Sequence, residues 1–190
     1  MIETLFSAEL QRVLLNPMSY LNPLRARILP HLVIGSAAQA VVNELLIVAF
    51  QLETSSIYSS PMVRQWVKHW DRLPQVAYLI GCHNQRAELA REGALLRLPA
   101  WARSFITISH PTRISSRNIV FSHNMLMRIG YAQLLVCGRQ LPKPLKQRFP
   151  LLFSPEVDSV VPQTAADPLI FALALQHAQS YPNISPVDSR

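Results

Sequence analysis

Cys82 and His83 are adjacent in the stretch LIGCHNQRAELA, and Arg86 follows three residues later. A thiol near an imidazole is the pair that cysteine hydrolases use, because the imidazole takes the thiol proton. Neighbouring residues on a helix point about 100° apart, so Cys82 and His83 do not face each other. A catalytic base would have to come from distant sequence, where His110 and His123 are the candidates. We interpret Cys82 as a small buried packing residue and keep a Cys/His-dependent hydrolase as an alternative.

Metal and cofactor sites leave characteristic spacings that this sequence lacks. The six His are far apart, and Cys82 and Cys137 have no nearby second cysteine of the kind that structural zinc sites use. None of the five Gly belongs to a GxxxxGK or GxGxxG phosphate-binding pattern. We therefore predict no catalytic residue, no metal ligand and no cofactor.

The basic residues carry the clearest functional signal. The net charge is +7, and residues 97–148 hold nine Lys and Arg without any Asp or Glu. Such an acid-free block favours an acidic protein surface, nucleic acid or anionic lipid as a partner. Aromatic residues are too sparse in the block for a base-stacking platform, so we predict an acidic protein and keep a small nucleic-acid-binding protein as an alternative. The predicted partner-binding residues are Arg113, Arg117, Arg128, Arg139, Lys143, Lys146 and Arg148.

The composition also points to a protein partner. Apolar residues make up 49% of the chain and charged residues only 15%, against about 25% in an average domain. A surplus of apolar surface favours burial against another protein. The most apolar stretch, 41–52, is far shorter than the ~20 residues that a membrane span needs, and the N-terminal residues are acidic where a signal peptide would be basic. We expect a cytosolic protein with free thiols and no membrane span.

Helical spacing and proline stops predict an all-α fold. We expect a single compact domain over 1–190, built of about eight short-to-medium helices with Pro-rich connections, a Pro-rich segment at 1–35 and a flexible tail at 183–190. Helix starts are predicted at Ser36, Ser60-Pro61, Asn84, Ser122 and Asp167-Pro168. The helix after Ser36 is expected to reach about Leu52, with an apolar face of Val41, Leu45, Val48 and Leu52. Gly81 is expected to end the helix that begins at Leu73-Pro74.

The central stretch WDRLPQVAYLIGCHNQRAELAREGALLRLPAWA, residues 70–102, resembles the signature of the OrgA/MxiK family, also named SctK. Further pieces fit in the same order: NPMSYLNPLR, IGYAQL, LKQRFPLLF and ALQHAQSYPN. The resemblance extends from about 10 to 183 and is weakest at 106–123 and 155–166.

The resemblance implies a largely helical accessory protein of the type III secretion injectisome, without known enzymatic activity. Members of the family lie in the sorting platform at the cytoplasmic face of the inner membrane. There they bridge the cytoplasmic domain of the inner-membrane ring protein (PrgH/MxiG type) and the pod protein (SpaO type), which connects to the ATPase complex. The family offers no short partner-binding motif to transfer, so the site residues above rest on charge alone.

Overall fold

The structure, a computed structural model, describes residues 2–28, 33–108, 121–162 and 165–183. Within these ranges the regular structure is entirely helical, as the sequence predicts, with nine α-helices joined by turns and short 3₁₀ segments. The helices are α1 Ile2–Leu15, α2 Ser36–Ala49, α3 Pro61–Lys68, α4 Leu73–Asn84, α5 Arg86–Arg91, α6 Ala100–Ile106, α7 His123–Cys137, α8 Lys143–Arg148 and α9 Pro168–Gln179.

Three helix starts follow the capping residues that the sequence predicts. The Ser60 side chain accepts a hydrogen bond from the Val63 amide, and the Ser122 side chain accepts one from Met125. The Asp167 carboxylate accepts from the amide of Leu169. Each cap satisfies a backbone donor that the first helical turn leaves without an intrahelical partner.

The chain divides into two compact units, Met1–Asp71 with Gln140–Asp158, and Arg72–Arg139 with Ser159–Arg190. The expectation of a single domain over 1–190 stays a prediction. In the first unit α1 packs against α3 and α8. Trp66 of α3 meets Phe149 edge to face at a centroid distance of 5.4 Å, and Trp70 meets Tyr20 at 5.8 Å. Both indoles are buried, as expected for core residues.

The second unit is organised around α4 and α7, which approach each other at two glycines. A side-chain carbon added at Gly81 of α4 would overlap the Leu126 carbonyl of α7. One added at Gly130 of α7 would overlap the Ala77 carbonyl of α4. The two backbones therefore touch directly, and α6 and α9 also pack against α4. The prediction that Gly81 ends a helix is wrong, because Gly81 is needed for this close approach within α4.

Two other helix boundaries differ from those that the sequence predicts. Asn84 does not begin a helix: it is the last residue of α4, and Gln85 links α4 to the short α5. The helix after Ser36 ends at Ala49, three residues earlier than expected, and Gln51 then takes a positive φ of 52°. Leu52, predicted to share the apolar face of that helix, is instead buried outside it.

Candidate functional site

The Cys82 thiol is enclosed in the core of the second unit. Cys82 is 0% exposed, and Tyr78 lies one turn earlier on α4. The Tyr78 hydroxyl lies 2.6 Å from Nδ1 of His123, and its ring packs against Trp101. Burial raises the pKa of the Cys82 thiol well above its ordinary value, although the neighbouring Tyr78 lowers it in part. The thiol is therefore protonated and shielded at neutral pH, whereas a nucleophilic cysteine needs a lowered pKa and access to substrate.

His83 takes part in a different set of contacts. It is also 0% exposed, and its ring packs against Phe105 at a centroid distance of 5.9 Å. Its Nε2 lies 3.3 Å from a guanidinium nitrogen of Arg86, which also donates to the Ile108 carbonyl oxygen at 3.0 Å. Arg86 thus joins the end of α4 to the end of α6. His83 and Arg86 therefore hold helices together, and their geometry opposes the hydrolase alternative.

The two candidate bases, His110 and His123, and the second thiol, Cys137, complete the residues of the hydrolase alternative. His110 lies outside the described residues. Burial lowers the pKa of His123, and it raises the pKa of Cys137 to about 11. Across 2–28, 33–108, 121–162 and 165–183, no three His, Cys, Asp or Glu side chains gather as metal ligands would.

The predicted basic residues fall into three groups. Arg113 and Arg117 lie outside the described residues. Arg128 and Arg139 are in the second unit, where Arg139 is exposed and Arg128 donates to the Ser159 hydroxyl at 3.2 Å. Lys143 and Lys146 are in the first unit, where Lys146 is exposed and Lys143 forms an ion pair with Glu53. Arg139 and Lys146 form no ion pair with any described carboxylate. They are the clearest candidates for contact with an acidic partner.

Arg148 has to be removed from the predicted partner surface. Its side chain is 0% exposed, and its guanidinium donates to the carbonyl oxygens of Leu14 at 2.7 Å, Pro144 at 3.0 Å and Glu53 at 2.6 Å. Leu14 lies in the last turn of α1, whose carbonyls have no intrahelical donor. Burial lowers the pKa of Arg148, with Tyr20 opposing that shift. The cation is used inside the first unit, where it caps α1, so the charge pattern alone misassigned it.

Helix α2 of the first unit buries a polar residue and exposes apolar ones. Asn43, a polar residue, is buried there: its side-chain oxygen accepts from the Met18 amide at 2.9 Å, and its amide donates to the Gln39 carbonyl at 2.9 Å. The apolar Val41, Leu45 and Val48 lie away from this contact and are 55%, 62% and 75% exposed. Ordinary surface helices place their apolar side inwards. The apolar face that the sequence predicts on this helix therefore points to solvent.

The exposed side of α2 carries a single charge. Glu44 is exposed and falls beside the stripe formed by Val41, Leu45 and Val48, since residues three and four apart share a helix face. It is the one Asp, Glu, Lys or Arg between residues 33 and 52, and it pairs with no cation among the described residues. The helical spacing thus places Glu44 at the edge of the apolar face, within one turn of both Val41 and Val48.

Helix lengths and composition also bear on membranes. None of the described helices combines the length and the apolar character that crossing a bilayer requires.

Comparisons with known proteins agree with the sequence resemblance. Residues 10–180 match the family model described as bacterial type III secretion apparatus protein (OrgA_MxiK). The oxygen-regulated invasion protein OrgA of Salmonella typhimurium is 44% identical over 178 residues, which cover 93% of this chain and 89% of OrgA. The uncharacterized protein YgeO of Escherichia coli is 31% identical over 99 residues, covering 50% of this chain and 69% of YgeO. No solved structure matches the chain. The protein belongs to the OrgA/MxiK family of bacterial type III secretion apparatus proteins.

Proposed function

We propose that this protein is an adaptor of the injectisome sorting platform. It binds the cytoplasmic domain of the inner-membrane ring protein (PrgH/MxiG type) and the pod protein (SpaO type) together, and so links the ring to the ATPase complex. It acts at the cytoplasmic face of the inner membrane and is needed for secretion of effector proteins. No bond is made or broken in this function.

The observation that carries the proposal is that the chain exposes two chemically different surfaces. One is the apolar face of α2, with Val41, Leu45 and Val48. The other kind is cationic and is present in each unit separately, at the exposed Arg139 of the second unit and at the exposed Lys143 and Lys146 of the first. An apolar surface and a charged surface select different partners, because one gains from removal of water and the other from opposite charge. Family membership supports a place in the secretion apparatus.

The two described groups of cations need separate tests because they belong to different compact units. Arg139→Glu tests the second unit. Lys146→Glu tests the first unit more cleanly than Lys143→Glu, which would also break the ion pair with Glu53. Arg64→Glu, at an exposed arginine of α3 outside the basic block, is the matched control.

The experiment measures binding of the purified chain to each partner of the same secretion apparatus, at several salt concentrations. We expect the unsubstituted chain to bind both partners at once. Charge reversal at Arg139, Lys146 or both should weaken one interaction and reduce its salt dependence, while Arg64→Glu leaves both unchanged. Failure of either partner to bind would contradict the proposed adaptor. Tight, steeply salt-dependent binding to unrelated DNA would favour the nucleic-acid alternative instead.

A further inference from the structure

We propose that the exposed face of α2 binds one amphipathic α-helix of a partner protein, and that this helix carries an apolar stripe and a Lys or Arg opposite Glu44. The inference rests on the proposed function, because it names the kind of structure that the apolar surface of the adaptor recognises.

The apolar residues of α2 have the spacing of a seam, the line of side chains along which two helices pair. Ala38, Val41, Leu45 and Val48 follow one another at intervals of three, four and three residues, which is the pattern by which two helices interlock. Ala37 and Ala49 flank this seam and are exposed. Such small side chains allow a second helix axis to approach within about 8–10 Å. The 14 residues of α2 span about 21 Å, so the matching segment is a helix of about four turns.

A helix is a better occupant than an extended strand. The middle of α2 satisfies its own backbone hydrogen bonds, so it offers no free donors or acceptors to which a strand could add. Recognition must therefore come from side chains along one narrow stripe. The face of another amphipathic helix supplies such a stripe at the same spacing.

Glu44 determines the charge of the occupant. An exposed carboxylate at the edge of an apolar seam loses hydration when a partner covers the seam, and this costs free energy unless a cation or hydrogen-bond donor replaces the water. Because Glu44 forms no ion pair with any described Lys or Arg, the matching charge has to come from the partner. A Lys or Arg on the partner helix restores the interaction and fixes the register of the two helices.

A second copy of this chain fits this face less well. Antiparallel pairing of two α2 helices would bring the two Glu44 carboxylates to the same edge of the interface, where they repel each other. The charge therefore favours a different protein.

The test uses the full chain and the two proteins of the proposed function as probes, the ring protein's cytoplasmic domain and the pod protein. Leu45→Asp introduces a charge into the seam, and Glu44→Gln removes the carboxylate while keeping its size. The matched controls are Leu96→Asp, at a leucine that is 81% exposed outside α2, and Glu92→Gln, at an exposed carboxylate outside α2. Circular dichroism and thermal melting check that each variant stays folded, and sedimentation measures self-association.

We expect Leu45→Asp to weaken binding of one of the two proteins by about tenfold or more and to leave the other within about twofold. Glu44→Gln should weaken the same interaction by about threefold and reduce its salt dependence. Neither control should change binding. Hydrogen exchange on the affected partner should show one protected segment, a helix with apolar residues at three- and four-residue spacing and a Lys or Arg beside them.

Several outcomes would overturn the inference. If both proteins bind and Leu45→Asp changes neither affinity, the inference is wrong while the adaptor function stands. Protection of a strand, or a dimer of this chain that Leu45→Asp abolishes, would also overturn it. If neither protein binds the unsubstituted chain, the proposed function fails and the inference fails with it.

Discussion

Helices α4 and α2 are both rich in apolar residues, but they are buried to very different extents. In α4, ten of the twelve residues are buried, including Tyr78, Gly81 and Cys82. In α2, only Asn43 and Leu46 of fourteen residues are buried. Neither helix is strongly charged: α4 lacks Asp, Glu, Lys and Arg, and α2 has only Glu44.

The neighbours of each helix account for this difference. Helix α4 has α7, α6 and α9 packed around it, and the glycine contacts with α7 let the two backbones touch. Helix α2 packs against the 3₁₀ turn Pro17–Ser19 and α1, with Asn43 bonded to the Met18 amide. An apolar helix is therefore buried where other helices surround it, as α4 is. It keeps an apolar face exposed where the side that packs is the one carrying a polar residue, as in α2 with Asn43. The residues of α4 should therefore govern stability, and those of α2 should govern binding.

The largest effect is expected from Gly130→Ala, which adds a methyl group where α7 meets the backbone of α4. The added carbon would overlap the Ala77 carbonyl oxygen, and a backbone group cannot move aside as a flexible side chain does. We expect a loss of about 3 kcal/mol or more in the free energy of unfolding, measured by urea denaturation.

Gly93→Ala is the control for that substitution. Gly93 has a positive φ of 66°, but a carbon added there meets no atom within 4 Å. Only backbone strain should result, at about 1 kcal/mol. Equal losses at Gly93 and Gly130 would contradict the close packing of α4 and α7.

A second prediction compares two cations in α8, the buried Arg148 and the exposed Lys146. Arg148 is enclosed and bonded to three carbonyl oxygens, whereas Lys146 is exposed. Arg148→Met leaves these carbonyls without their donor, and relief of the buried charge offsets only part of that loss. We expect it to lower the free energy of unfolding by about 2–3 kcal/mol. Lys146→Met should change it by less than about 0.5 kcal/mol. Similar losses from both substitutions would argue against the internal role of Arg148.

The sequence predicts local features of this fold well and misses those that depend on distant contacts. Ser60, Ser122 and Asp167 are recognisable because a cap bonds to an amide two or three residues away. Gly81 is misleading, since a glycine that ends a helix and a glycine that admits a neighbouring helix look the same in one sequence. Cys82 and His83 follow Leu79 at three and four residues, and this helical spacing is the available signal that α4 continues past Gly81.

The candidate surfaces are predictable only in part for the same reason. The apolar stripe of α2 follows from spacing, but spacing does not determine which side of a helix packs. The bond between Asn43 and the Met18 amide decides that, and it joins residues 25 positions apart. Arg148 counts as a surface cation in the sequence because the charge pattern carries no information on burial. The apolar residues Phe149 and Leu151 that follow it are the local signal that this segment packs inwards.

A smaller effect is expected at the start of α9, which packs against α4. The Asp167 carboxylate accepts hydrogen bonds from the amides of Leu169 at 2.9 Å and Ile170 at 3.4 Å. Asp167→Ala removes this cap and should lower the free energy of unfolding by about 1 kcal/mol, as thermal or urea denaturation would measure. Asp167→Asn, which keeps a capping oxygen, should recover most of the loss. If Asp167→Ala and Asp167→Asn behave alike, charge rather than capping sets the contribution of this residue.

The smallest effect on stability is expected at Leu45, and it tests the comparison of α2 with α4 most directly. Leu45→Gln replaces a side chain that is already 62% exposed, so little apolar area is returned to water on substitution. We expect a change below about 0.5 kcal/mol in the free energy of unfolding. Leu46→Gln, at the adjacent buried leucine, should cost about 2–3 kcal/mol because it places an amide in an apolar contact. Equal losses at the two leucines would mean that α2 packs on both sides, and the apolar stripe would then belong to the core. A loss confined to Leu46 leaves Leu45 on the exposed face of α2, as the proposed binding of a partner helix requires.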